Sequence, residues 1–177
     1  MKLLSLLLLL TLPFSLSADD AEWFVGIEGG VTGVNLSEGT IKGSYEYGPE
    51  YGAKIGLREG NSRIYLGYTA ADNIGQPIDR THNPYLALEG ASDEFKVIAK
   101  STARFFFGAR LGASIADINN TSTTAFMAGL QTGLIFMLPA DFELEVAYRH
   151  YFTFKEKETN FNAGAIYGGL NYKFYAF

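Results

Sequence analysis

Two histidines, His82 and His150, and no cysteine make up this chain's stock of imidazole and thiol chemistry. Two imidazoles without a thiolate do not build a zinc tetrahedron. The missing cysteines remove a disulfide framework, a thiolate metal site and a lipid-modified N-terminus. His150 lies in Tyr148-Arg149-His150-Tyr151-Phe152. An imidazole activates a hydroxyl only within hydrogen-bond reach, and on an extended strand the neighbour on the same face is two residues away. That position holds Phe152, while Thr153 points to the other face. His150 therefore reads as an amphipathic ring at an interface, and His82 as a solvated group in a polar loop.

The remaining chemistry is electrostatic. Carboxylates Glu28, Glu46, Glu50, Glu143 and Glu145 share one strand parity with the cations Lys54, Arg58, Arg63, Arg104, Arg110, Arg149 and Lys173, and glycines such as Gly26, Gly56, Gly108 and Gly112 lie among them. The opposite parity is bulky and apolar, for example Val25, Ile27, Ile55, Leu66, Phe105, Leu144 and Ile166. Charges of both signs on one face suit a ladder of ion pairs. Such a ladder is tolerable in a narrow interior only when every charge is paired.

The elements that carry these residues are strands. The alternation predicts eight, at 22–36, 43–58, 61–74, 84–98, 102–117, 125–138, 141–155 and 161–175. Tight turns are expected at 58–61, 99–101 and 138–141. Longer polar loops are expected at 37–42, 75–83, 118–124 and 156–160. In the fourth strand Leu86 and Leu88 share one parity and Phe95 and Val97 the other, so a bulge near 92–94 is needed to restore the register. Ahead of the strands, residues 1–18 have a positive start at Lys2, an aliphatic run and small residues. They read as a cleaved signal peptide. Residues 19–177 form one domain.

Alternation also fits a soluble, lipocalin-like barrel with the apolar face inward. Residue size decides between the two. A solvent-exposed face has no use for glycine, which weakens a strand, whereas a cramped lumen needs it beside long side chains. The charged face is therefore inside and the bulky face meets lipid. Aromatic residues gather towards both ends: Trp23, Phe105, Phe136, Phe142, Tyr172 and Phe174 at one, Tyr45, Tyr47, Tyr68, Phe126, Phe152 and Phe154 at the other. Two such girdles match the interfacial preference of amphipathic rings. The net charge of −5 comes without a basic stripe, which argues against nucleic acid as a partner.

The last strand carries Gly168-Gly169-Leu170-Asn171-Tyr172-Lys173-Phe174, followed by Tyr175-Ala176-Phe177. In this segment and in its eight-strand pattern the chain resembles the small outer-membrane barrels of the OmpA/OmpX type. The resemblance implies an all-β, eight-stranded antiparallel up-and-down transmembrane β-barrel in a Gram-negative outer membrane, monomeric, with both termini periplasmic. Gly168, Leu170, Tyr172 and Phe174, or Phe177, would be the signal read by the barrel-assembly machinery. Outer-membrane lipid and lipopolysaccharide would be the other partners, with no cofactor or metal. The implied function is structural or surface-interacting around a lumen plugged by Glu28, Glu50, Lys54, Arg58, Arg63, Arg104, Arg110, Glu143, Glu145, Arg149 and Lys173. A low-conductance pore gated by those pairs is the alternative. The segment around His150 also resembles the His-x-Ser strand of outer-membrane lipid A deacylases. Without the hydroxyl at Phe152, no enzymatic activity is expected.

Overall fold

A computed structural model describes residues 21–36, 45–75, 78–98, 101–118, 121–154 and 161–175. All regular elements among these residues are strands: β1 Glu22–Leu36, β2 Tyr45–Glu59, β3 Ser62–Gly75, β4 Ile78–Ala91, β5 Phe95–Ile98, β6 Ser101–Ile118, β7 Thr121–Met137, β8 Phe142–Phe154 and β9 Phe161–Tyr175. Every pair of sequence neighbours except β4 and β5 is antiparallel and hydrogen-bonded, β1 also pairs with β9, and β4 pairs with β6, so the sheet closes on itself. The result is a closed, eight-stranded, up-and-down barrel.

Nine segments make eight staves because β5 continues β4. Ala91 faces Phe106 and Phe95 faces Ala103, so four steps on one strand oppose three on the other. This is the bulge that the parity conflict required. Ser92 pins it, its backbone N–H donating to Phe105 O at 2.7 Å and its Oγ accepting from Phe105 N at 3.0 Å. Leu86 and Leu88 before it, and Phe95 and Val97 after it, all face outward.

Two expectations about loops are corrected. The fourth strand begins at Ile78, not at 84, and β7 begins at Thr121, so most of 75–83 and 118–124 is strand. Polar residues there are still paired across the sheet. Asp72 opposes Arg80, with Arg80 Nε donating to Asp72 Oδ1 at 2.5 Å, and Arg80 in turn opposes Asp117. These strands run on beyond the apolar belt, where their outward side chains meet water, so polarity is no mark of a loop. His82 is accordingly a strand residue, stacked on Tyr68 with its Nδ1 against the Tyr68 hydroxyl.

The hairpin between β2 and β3 turns at Gly60, whose φ of +55° is left-handed and free of a side-chain penalty. Between β7 and β8 the same geometry falls on Ala140 and Asp141, at φ 59° and 61°. Along β8 the outward residues run from Phe142 to Phe154. At about 3.3 Å per residue and a tilt near 40°, that span is roughly 30 Å, enough to cover the apolar band of an outer membrane. The expected signal peptide, the loops at 37–42 and 156–160, and Phe177 lie outside the described residues.

Candidate functional site: a charge-neutral lumen

The even or odd parity of each strand sends its charges into the barrel. Among the described residues, five carboxylates (Glu28, Glu50, Glu89, Glu143, Glu145) and five cations (Lys54, Arg58, Arg63, Arg110, Arg149) are buried there. Glu145 is the hub. It accepts from Lys54 Nζ at 2.9 Å, Tyr167 Oη at 2.8 Å, Asn171 Nδ2 at 3.2 Å and Arg63 Nη2 at 3.3 Å. Arg63 also holds Glu89, through its Nε at 2.6 Å, and lies 3.7 Å from Glu143. Further along the axis Arg149 bridges Glu28, at 2.7 Å, and Glu50. Lys54 lies 3.9 Å from Glu28, so the two clusters join.

Not every expected member is in this interior. Arg104 sits at the mouth where β1 begins and β9 ends, pairing with Glu94 at 2.9 Å and donating to Gly60 O and Asn61 Oδ1. Lys173 lies at the same mouth, between Glu22 at 3.7 Å and Glu143 at 3.9 Å, while Arg58 just inside contacts Glu143. Glu46, although of inward parity, is exposed at the opposite rim. Arg110 is buried without an ion pair among the described residues: its Nε donates to Gln131 Oε1 at 2.9 Å, and its guanidinium lies 4.1 Å over the Tyr85 ring. Gln131 in turn donates to Tyr65 Oη at 2.5 Å and to Glu89.

Sequence reasoning left out the tyrosines. Tyr65, Tyr85, Tyr151 and Tyr167, with Phe24 and Phe106, are fully inside. Tyr65 Oη donates to Glu89 at 2.5 Å, Tyr85 Oη to Glu28 at 3.4 Å, and Arg149 lies 4.1 Å over the Tyr167 ring. Their parity was the available signal, since Tyr65 shares the parity of Arg63 and Gly67. Lumen glycines make room for these rings as much as for charges. A Cβ on Gly67 would overlap the Tyr85 ring, one on Gly56 the stem of Tyr65, and one on Gly108 the Glu89 Cγ at 2.5 Å.

The lumen is charged towards the end where β1 begins and β9 ends, and neutral towards the other among the described residues. There it is lined by small residues such as Thr32, Thr69, Thr81, Ser114 and Ala163, all buried. Ser114 Oγ donates to Asn83 Oδ1 at 2.6 Å, and Asn83 Nδ2 to Thr69 at 3.4 Å.

Outside, the pattern inverts. Ile27, Leu66, Phe107, Leu130, Tyr148 and Ile166 are among the large apolar side chains left exposed around the wall. A soluble protein does not expose a continuous apolar surface of this kind, so the lipocalin-like arrangement is excluded. The chain has the fold of the small outer-membrane barrels. Neisserial surface protein A is 17% identical over 86% of this chain and 97% of its own, with a TM-score of 0.66. Outer membrane protein H of P. aeruginosa is 18% identical over 84% of this chain and 99% of its own, with a TM-score of 0.52. Comparison with family models gave no match, and comparison with curated proteins gave none.

His150 is on the lipid-facing side of this barrel, half-buried and stacked on Tyr148, whose hydroxyl lies 3.2 Å from its Nδ1. Phe152 meets it edge-on at 4.8 Å, and Thr153 is buried in the lumen.

Proposed function

We propose that this chain is a non-enzymatic integral protein of a Gram-negative outer membrane. It is a monomer with both termini in the periplasm, and its role is structural or surface-interacting around a plugged lumen. The observation that carries this reading is the inversion of the barrel: among the described residues, buried carboxylates equal buried cations in number, while the outer wall is apolar. Eight strands leave an interior that side chains just fill, and here ion pairs and tyrosines fill the charged half. His150 stacks on Tyr148 and meets Phe152 edge-on, so a phenyl ring stands at the position where an acyl-transfer hydroxyl would be needed, which supports a non-enzymatic role.

The barrel-assembly machinery would read Gly168, Leu170, Tyr172 and Phe174. These four face outward on β9, and Tyr172 packs against Phe142 at 5.1 Å and against Phe174 at 6.3 Å. Tyr175 instead donates to Glu22 Oε1 at 2.8 Å at the rim.

The small, neutral residues of the other half of the lumen favour a second reading, a low-conductance pore closed by the ion pairs alone. The test has two stages. Detergent-folded protein run unboiled and boiled should give a heat-modifiable band and a β-rich circular dichroism spectrum. A soluble, detergent-independent protein would overturn the membrane reading. Planar-bilayer recording then separates plug from pore, because a pore gives resolved steps that grow when the Lys54–Glu145 pair is removed.

A further inference from the structure

Two neighbouring cross-strand rows of the outer wall enclose a furrow. In the first, Phe142 opposes Tyr172, Tyr172 opposes Val25, Val25 opposes Ile55 and Ile55 opposes Leu66. In the second, two residues along each strand, Leu170 opposes Ile27, Ile27 opposes Ala53 and Ala53 opposes Tyr68. Gly26, Lys54, Gly67 and Asn171 lie between the rows and complete the lining of a concavity of about 620 Å³. The side chains of Lys54 and Asn171 are in the lumen, where both bind Glu145, so these positions offer backbone alone as a floor.

Ala53 keeps the furrow open. It is exposed, and it is the one short side chain in the two rows. The rings on either side of it lean away. Tyr68 stacks on His82 of β4 at an interplanar angle of 27°, with its hydroxyl against Nδ1. Tyr51, the next residue on the same face of β2, donates to Asp72 Oδ2 at 2.8 Å. Asp72 lies beyond Ala70, the residue opposite Tyr51, so this contact draws the phenol further from Ala53.

Four steps between strands at about 4.8 Å make the furrow roughly 19 Å long. One end is at the rim, since Phe142 is the first residue of β8 and follows the turn at Ala140 and Asp141. The other end lies at Leu66 and Tyr68, well along β3, which starts from the same mouth. With strands tilted near 40°, a row perpendicular to them climbs about 12 Å. An acyl chain of one leaflet covers half of a hydrocarbon core about 30 Å thick, so the furrow takes most of one such chain. In lipid no hydrophobic force favours one apolar contact over another, and retention depends on van der Waals fit.

We propose that this furrow is a binding site for one acyl chain of a glycerophospholipid, with the headgroup at the Phe142 rim and the methyl end stopped by Tyr68. The inference rests on the membrane-barrel reading, because only there is lipid the medium on this face. Ala53 sets the usable length, and His82 and Asp72 act as positioning residues that hold the two phenols clear of it.

The test is native mass spectrometry of the detergent-folded, heat-modifiable protein, offered dipalmitoyl or dioctanoyl phosphatidylglycerol. The wild-type chain should retain one dipalmitoyl lipid in preference to the dioctanoyl one, whose chains end short of Tyr68. Ala53→Leu fills the furrow midway and should lower dipalmitoyl retention about fivefold, the worth of a handful of lost dispersion contacts. It should leave the short-chain lipid nearly unaffected. Ala109→Leu makes the same change at an exposed position elsewhere on the wall, opposite Leu88 and Leu130, and should match wild type.

A wild-type barrel that retains no lipid overturns the proposal, as does equal dipalmitoyl retention by Ala53→Leu and wild type. Equal losses in the Ala53 and Ala109 variants also overturn it, because the whole wall would then behave alike. Dimers in place of the lipid adduct, lost in Ala53→Leu, would assign the furrow to a second copy and overturn it too. Should Ala53→Leu lack the heat-modifiable band, Ala53→Val, a smaller filling, takes its place. Failure of the wild type to give that band would instead sink the membrane reading.

Discussion

Glu145→Gln tests whether the lumen is held by charge. The replacement has the same shape, so it opens no cavity, and its effect is electrostatic. Glu145 takes four hydrogen bonds, two of them from cations, Lys54 at 2.9 Å and Arg63 at 3.3 Å. Removing one partner of a buried pair costs about 3–5 kcal/mol. Both cations keep another partner, Glu28 at 3.9 Å from Lys54 and Glu89 against Arg63, which places the cost at the lower end, about 3 kcal/mol. The measurement is urea unfolding from lipid vesicles, followed by tryptophan fluorescence of Trp23 and by gel mobility. With slopes of about 1–3 kcal/mol per molar, the midpoint should fall by about 1–3 M. Lys54→Gln alone should cost a similar amount, and the double variant, neutral again, should recover part of both losses. A coupling energy below about 0.5 kcal/mol in that cycle would refute the idea that Lys54 and Glu145 stabilise each other.

Three further outcomes follow from particular contacts. Gly67→Ala pushes a Cβ into the Tyr85 ring and should destabilise by about 1–3 kcal/mol; combining it with Tyr85→Ala in the same unfolding assay should cost less than the two separate losses added together. Ala140→Gly relieves a left-handed φ of 59° and should raise stability by up to about 1 kcal/mol; an unchanged or lower midpoint would show that the turn carries no strain. At the mouth, hydrogen bonds from Arg104 and Thr102 hold the Glu94 carboxyl below its ordinary range. A lowered folded-state value means its stabilisation is present above the unfolded value, near pH 4.3, and is lost as pH falls through the folded one. Unfolding midpoints measured downward from pH 6 should therefore show a small acid loss that disappears in Glu94→Gln.

The pattern of faces was legible from the sequence because a barrel wall imposes a strict period of two, and residues such as Val25, Lys54 and Leu144 obey it. So was the jog at Ser92, since a parity conflict within one strand has few physical remedies. What escaped was whatever polarity alone misassigns. Arg80 and His82 looked like loop residues because the strand outlasts the apolar belt, and polar side chains are at home on the part that reaches water. Glu89 escaped for a different reason: it lay inside the expected fourth strand, opposite in parity to Leu86 and Leu88, but the parity conflict with Phe95 and Val97 left the faces of that strand unassigned. Tyr65, Tyr85 and Tyr167 were overlooked among so many wall aromatics, although their neighbours Arg63, Ala87 and Gly169 share their face. An aromatic ring with a hydroxyl belongs on either side of this wall, and only parity says which.

The lumen pairs bear on register more than on net stability. A slip of one residue along β2 would turn Lys54, Arg58 and Glu50 into the lipid. Each cation there costs about 2–4 kcal/mol at mid-membrane, less near the rim, so a single slipped strand is penalised by several kcal/mol before any hydrogen bond is counted. An apolar lumen would carry no such penalty, because both faces would then be equally content in lipid. Replacing a buried ion pair with apolar residues of similar volume is often neutral or stabilising once the correct fold is reached. Lys54→Met with Glu145→Leu, made together with Arg63→Met and Glu89→Leu, should therefore leave the unfolding midpoint of correctly folded protein near that of wild type. The same variant should fold into vesicles more slowly and leave a larger fraction unable to give the heat-modifiable band. If it folds as fast and as completely as the wild type, the charges do not set the register, and stabilisation by pairing is the role left to them.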